Sequence, residues 1–202
     1  MEPYFTSQSI QGVVELGHPI MRPMLLEYPE DKTCWFLDQQ YMLGSDILVA
    51  PVFGESVVDY YVPAGVFTNI LTGVEVSGPA WVSESHSMST LPVLLRPEAA
   101  LVIGKSEHTV LDRIDTRGFT VVVSRQITRR VQTTAALRSN QTLVIDISPI
   151  YEGDRIVGLD ISSSESGADF DVIVVGGGTG IDHLAKHPSS SSEGGQPCHV
   201  RW

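Results

Sequence analysis

GHPIMRPMLLEYPED, residues 17–31, has the form of one strand with a turn at each end. Gly17 and Pro19 punctuate its start, Ile20, Met21, Met24, Leu25 and Leu26 supply an apolar run of strand length, and Tyr28-Pro29 breaks it. A strand apolar on both faces belongs in a parallel sheet covered by helices. Upstream, Tyr4, Phe5, Ile10, Val13, Val14 and Leu16 recur at broadly helical spacing, and Gly17 stands where a helix C-cap falls. Residues 3–16 therefore read as an amphipathic helix feeding the strand. A single helix–strand unit cannot form a sheet by itself, which raises the question of where the other strands are.

Downstream the pattern changes. DKTCWFLDQQYMLGSD, residues 31–46, predicts a short helical patch with Trp35, Phe36 and Leu37 in the core. From Ile47 onward, short apolar or alternating runs lie at 47–53, 57–62, 66–71, 74–76, 91–95 and 99–103, separated by Gly or Pro turns. Such strands predict an antiparallel sandwich. A second set at about 119–124, 133–138, 142–148, 155–162 and 169–175 predicts a further β-module.

The composition bounds what these modules do. The chain has 202 residues, 42% hydrophobic, and a net charge of −11 from 13 basic and 24 acidic side chains. That balance argues against nucleic acid or an anionic membrane as partner. Residues 1–104 carry 3 basic and 12 acidic groups and residues 105–202 carry 10 and 12, a compositional boundary near Gly104. Two cysteines, Cys34 and Cys198, make neither a CxxC pair nor a disulfide framework. The first 17 residues lack the features of a signal peptide. No run approaches the roughly 18 apolar residues of a membrane span, so the chain reads as soluble.

Several blocks resemble the C-terminal part of glycoside hydrolase family 31, especially its α-xylosidase branch. They are Arg22-Pro23-Met24, Glu27-Tyr28-Pro29, Asp38-Gln39-Gln40-Tyr41-Met42-Leu43-Gly44, Leu48-Val49-Ala50-Pro51-Val52, Tyr61-Val62-Pro63-Ala64-Gly65, Leu71-Thr72-Gly73, Leu91-Pro92 and Arg96-Pro97. The resemblance implies a mainly β chain: the last helix–strand unit of a (β/α)8 barrel (1–46), a proximal β-sandwich (47–104) and, more loosely, a distal one (105–178). The tail at 179–202 departs from the family pattern, and its run Ser189–Ser192, Gly194-Gly195 and few apolar groups predict a flexible, disordered segment. The missing strands are then the rest of a barrel of about 250 residues, and the chain reads as a C-terminal piece of a longer enzyme. The implied reaction is retaining hydrolysis of a terminal α-linked xylose or glucose without metal or organic cofactor. It needs two carboxyl groups about 5–5.5 Å apart. The family supplies both from aspartates on earlier barrel strands, and no segment here matches those motifs. The expectation is that the chain contains no catalytic residue, and no substrate-binding residue is assigned.

Other readings compete residue by residue. Glu27, Glu30 and Asp31 follow a barrel-type strand, where active sites lie, but a rim or structural role is expected, with Glu27 paired to Arg22 or to a neighbour from the missing barrel. Asp38 and Asp46 are expected to cap or turn the chain beside Gly44. Tyr60, Tyr61, Phe67 and Trp81 are candidates for stacking against sugar rings, although strand aromatics mostly fill cores. Trp81 is the least tied to a periodic run. His183 and His187, with Cys198 and His199, match no metal-site spacing, so no metal is expected. His18, His86 and His108 read as turn or surface residues. DFDVIVVGGGTGI, residues 169–181, resembles the opening of a dinucleotide-binding unit, but Ile181 falls where the third glycine belongs and too little chain follows. A last sandwich strand is expected there instead. The opposing function is a non-catalytic β-sandwich protein that binds sugar or another chain. Because the apolar strand at 20–26 would lack its barrel neighbours, the isolated chain is expected to self-associate through residues 1–53.

Overall fold

The computed structural model describes residues 2–54, 56–87, 89–104, 117–136, 142–164, 168–177, 181–187 and 198–201. The fold is mainly β, and its contacts divide it into two compact units. One comprises Gln8–Pro97 with Val175–Ile181; the other comprises Met1–Ser7, Glu98–Val174 and Asp182–Trp202. The strand at 100–104, which the sequence places last in the first module, thus belongs to the second unit.

Helix α1 (Glu2–Gln8) continues as a π-helical turn over Ser9–Glu15, and Gly17, at φ +72°, ends it by donating its N–H to the Val13 carbonyl at 3.2 Å. Then comes the departure from expectation. The run at 20–26 is not a parallel strand. Only Met21–Pro23 (β1) is extended, pairing antiparallel with Tyr41–Leu43 (β2), and Met24–Glu27 coils into the single turn α2. Pro23 explains the switch: its ring fixes φ at −59° and it has no N–H to extend a ladder, whereas just ahead of a helix it needs none. Of the apolar run, Met24 is fully buried, while Met21, Leu25 and Leu26 are exposed.

The patch at 31–46 contains the 3₁₀ turn Lys32–Phe36, capped by Asp31, whose side chain accepts from the Thr33 N–H at 3.0 Å. Its buried residue is Cys34 rather than the expected aromatics: Trp35 and Phe36 are exposed and Leu37 packs at the edge of the core. After β2 come β3 (Ile47–Val49), β4 (Val57–Asn69), β5 (Glu75–Ser85) and β6 (Val93–Leu95), joined in one sheet of order β1-β2-β3-β6-β4-β5. The first unit is therefore a single six-stranded sheet, with α2 and the 3₁₀ turn contributing Met24 and Cys34 to its core, where a sandwich was expected.

The two runs at 57–62 and 66–71 belong to the single long strand β4, which carries a bulge between Val62 and Gly65. One extra residue reverses the side-chain alternation. Val58, Tyr60 and Val62 face the core before the bulge, and Phe67, at odd rather than even number, faces it afterwards. Gly65 sits in the bulge at φ +125°, with the Pro97 ring where a Cβ would project.

The second unit is a sandwich. Strands β7 (Ala100–Gly104), β8 (Arg117–Ser124), β12 (Asp169–Val175) and β13 (Ile181–His187) form the sheet β13-β12-β8-β7. Strands β9 (Val131–Ala136), β10 (Thr142–Glu152), β11 (Arg155–Ser163) and β14 (Cys198–Arg201) form β14-β11-β10-β9. Alternate residues from both sheets, Phe119, Val121 and Val123 against Leu143, Ile145, Ile147, Leu159 and Ile161, build one core. Phe119 stacks on Phe170 at 5.2 Å. Residues 169–175 are thus a sandwich strand, as expected in preference to a dinucleotide motif.

The disordered tail is overturned for part of its length. Residues 181–187 form β13, and Cys198–Arg201 pair with β11 in the register Gly158↔Arg201 to Ile161↔Cys198, burying Val200 in the core. For β14 the pairing with β11 and the burial of Val200 account for the order. Residues 188–197 and Trp202 lie outside the described residues.

Candidate functional site

The densest polar cluster in the first unit is built from the residues of the Arg22, Glu27-Tyr28 and Arg96 blocks. Arg22, on β1, is only 5% exposed. Its three guanidinium nitrogens all donate: Nε to the Pro19 carbonyl at 3.0 Å, Nη1 to Glu27 at 2.6 Å and Nη2 to the Gln8 side-chain oxygen at 3.3 Å. Gly12 makes room for it, since a Cβ there would lie 2.8 Å from Nη2. Arg96 approaches Glu27 from the other side at 3.4 Å, donates to the Ser45 carbonyl at 2.9 Å and lies 5.5 Å above the Tyr28 ring. Burial pushes the Tyr28 phenol up to about 12, against the lowering pull of Arg96. The Gln8 oxygen also accepts from the Ser45 N–H at 3.1 Å.

This arrangement settles the geometry of the acidic candidates. Each Glu27 oxygen is held by one arginine, a buried charge neutralised by two cations rather than a free nucleophile. Asp31 caps the 3₁₀ turn and accepts from the Tyr61 hydroxyl at 2.7 Å. Glu30 and Asp38 are exposed, and Asp46 accepts from the Ser45 hydroxyl at 2.8 Å in the Gly44 turn between β2 and β3. Cys34, buried beside Asp31, has its thiol pushed up to about 11 by burial first and then by that carboxylate, so it stays protonated near neutrality.

The remaining motif residues also shape backbone. Gln40 bonds the Tyr61 main chain at both ends, accepting from its N–H at 2.7 Å and donating to its carbonyl at 2.8 Å. Asn69 caps the turn before Gly73 by accepting from the N–H groups of Leu71 and Thr72 at 2.9 and 3.1 Å. Sequence reading anticipated the Arg22–Glu27 pair but not Arg96, which is 69 residues from Glu27. No local periodicity links such distant positions.

Of the four aromatic candidates, Phe67, Tyr60 and Tyr61 are buried and Trp81 alone is open, at 62% exposure. Tyr60 donates to Glu84 at 2.9 Å, and burial followed by that carboxylate raises its phenol. Glu84 in turn contacts His86 at 3.0 Å, so His86 is partnered rather than a bare turn residue. His18 is half-buried, and His199 approaches Asp160 at 3.6 Å. The side chains of His183, His187 and Cys198, and His108 altogether, lie outside the described residues. Among the described residues no three His, Cys, Asp or Glu side chains converge as a metal site. No described helix is long and apolar enough to cross a membrane.

Comparison with known proteins agrees with this motif-bearing unit. The glycosyl hydrolase family 31 C-terminal domain matches residues 17–101. The chain is 31% identical to an α-xylosidase of Emericella nidulans, over 84% of this chain and 23% of that protein. It is 38% identical to the α-xylosidase XylQ of Lactiplantibacillus pentosus over 50% of this chain and 14% of XylQ. It is 30% identical to α-glucosidase 2 of Bacillus thermoamyloliquefaciens over 45% of this chain and 12% of that enzyme. In fold it is similar to the family 31 α-xylosidase of Xanthomonas citri, with a TM-score of 0.72 at 20% identity, covering 99% of this chain and 23% of that one. The chain thus spans less than a quarter of the length of these relatives. The Arg22–Glu27–Arg96 cluster and the turns around it lie within the matched segment, and residues 17–101 of the chain are a glycosyl hydrolase family 31 C-terminal domain.

Proposed function

We propose that this chain serves as the C-terminal β-portion of a retaining α-glycosidase of the α-xylosidase type, and that the catalytic carboxylates belong to a barrel outside it. The observation that carries the reading is the 31% identity to an α-xylosidase across 84% of the chain, coupled to a Glu27 whose charge is consumed by Arg22 and Arg96. Substrate in this reading is a terminal α-linked xylose. An α-linked glucose is the second reading, supported by the similarity to an α-glucosidase over 45% of the chain. The role assigned to the chain is mechanical. A rigid sheet, knotted by buried ion pairs, keeps a neighbouring catalytic body in one geometry, and displacements of about 1 Å there cost about 10²-fold in rate.

A domain exchange tests this. The chain replaces the corresponding C-terminal segment of the Emericella nidulans α-xylosidase, and the hybrid, its parent and the chain alone are assayed on an aryl α-xyloside. The hybrid is expected to retain activity and the chain alone to stay at the buffer rate, because without both carboxyl groups the covalent route is absent. A soluble, folded hybrid without activity overturns the proposal. So does turnover by the chain alone that disappears on Glu27→Gln.

A further inference from the structure

The outward positions of β5 are nearly all small: Ser77, Pro79, Ser83 and Ser85, with one exception, Trp81. A large indole in this row contributes nothing to the core, and at 62% exposure it keeps most of its surface in water. It is nonetheless held. Trp81 pairs across the ladder with Tyr61, their ring centroids 5.6 Å apart and tilted by 56°. Tyr61 is itself pinned, its hydroxyl by Asp31 and its backbone by Gln40. The result is an open aromatic surface on a fixed base.

Two residues earlier on β4, on the same face as Tyr61, lies Asp59, exposed and opposite Ser83. Asp59 lines a cleft of about 330 Å³ together with Gln39, Phe53, Val57 and others. Phe53 at its wall is 70% exposed. The volume is at the small end of the roughly 300–1,000 Å³ typical of ligand pockets. The cleft gathers open aromatic carbon, a carboxylate and a primary amide, and none of its described lining residues is a lysine or arginine. An anion has no counter-charge to meet. Pro51, Phe53, Val57 and Val58 make the apolar part of the wall, and Asp59 and Gln39 interrupt it with polar atoms that a purely apolar peptide would leave unpaired. A neutral ring with an apolar face and hydroxyl edges suits these groups: the indole offers a face to stack on, and Asp59, two residues along β4 from Trp81's partner Tyr61, and Gln39 offer polar atoms in the cleft they line.

We propose that the β4–β5 face around Trp81 and the Asp59–Gln39 cleft is a carbohydrate-binding surface for pyranose units of an oligosaccharide, independent of any hydrolytic centre. The choice of α-linked glucose and xylose as the sugars rests on the function proposed above; the surface chemistry does not.

The test uses the full 202-residue chain and isomaltotriose, with methyl α-xyloside and glycerol in parallel, reading tryptophan fluorescence and the indole N–H resonance of Trp81. Isomaltotriose and the xyloside are expected to give a saturable response at millimolar concentration, and glycerol none. Trp81→Ala is expected to abolish the response and Asp59→Asn to weaken binding about fivefold, with thermal midpoints within a degree or two of the parent because both side chains are exposed. Trp35→Phe, which removes a second exposed tryptophan, is expected to leave the Trp81 response intact. Absence of saturation, an equal response to glycerol, or an unchanged response in Trp81→Ala overturns the proposal. Since no hydrolysis is measured, a negative result leaves the domain-exchange outcome untouched, and a failed exchange leaves this binding experiment valid.

Discussion

Glu27 receives guanidinium groups from positions 22 and 96, one on each carboxylate oxygen, and is the one anion shared by the two. Taking that charge away leaves Arg22, 6% exposed at its side chain, with a neutral amide in place of its counter-ion. Breaking a buried pair by removing one partner costs about 3–5 kcal/mol. Glu27→Gln is therefore expected to lower the unfolding free energy of the first unit by about 3 kcal/mol, seen as a fall in the urea midpoint. Arg96→Ala, with a side chain 34% exposed, is expected to cost less, about 1 kcal/mol. Equal losses for the two, or none for Glu27→Gln, contradict the hierarchy argued from burial. A Glu five positions after an Arg is a visible pair in the sequence, and so was its structural role. Arg96 was visible only as part of a motif, because the contact is made by a sheet that brings the Gly44 turn next to the end of β6, where the Arg96 N–H donates to the Asp46 carbonyl at 2.9 Å.

At the scale of elements, strands that alternate were readable and segments whose neighbours decide their shape were not. Strands β8 to β12 fall within a few residues of the runs read from period-2 alternation, since each buries one face in a shared core. The stretch at 20–26 misled because apolar composition alone does not separate a strand from a one-turn helix; Pro23 was the local signal. The C-terminal strand β14 misled through its setting in a serine- and glycine-rich stretch, although His199-Val200-Arg201 already alternates. Its pairing rests on Gly158, where an added Cβ would meet the Val200 carbonyl at 2.1 Å. Gly158→Ala is expected to push β14 off β11, raising amide exchange at Val200 and Arg201 at least tenfold while β9 and β10 stay protected. Unchanged protection at Val200 would mean that β14 shifts to accommodate the methyl group.

For the whole molecule, the uneven distribution of exposed apolar side chains matters most. Val14 at 78%, Leu16 at 66%, Met21 at 59% and Phe36 at 83%, with Leu25, Leu26 and Trp35, all come from the first 36 residues. Monomers rarely leave so many large apolar groups open in one part of the chain. The isolated chain is expected to bind hydrophobic dye and to self-associate on concentration, by light scattering. Surface substitution tests this better than truncation, because removing the residues before Ile47 would take Met24, Cys34 and Met42 out of the core of the first unit. Replacing Val14, Leu16 and Phe36 by serine is expected to reduce both signals without lowering the thermal midpoint. A dye-silent monomeric parent contradicts the argument.

The sequence by itself determined the mainly β class, the approximate spans of β8 to β12, the family resemblance, and the Arg22–Glu27 pair. Each follows from a local or repeating signal: alternation, turn residues, or motif blocks in fixed order. Only the tertiary structure decided that the expected barrel strand is a short antiparallel strand at a sheet edge, that β4 reverses its faces at a bulge, and that the last residues complete a sandwich. It also chose Trp81 among four similar aromatics as the one left open. These outcomes depend on which segments meet across tens of residues, and hydrogen-bond pairing and burial between distant strands leave no periodic trace in either strand alone.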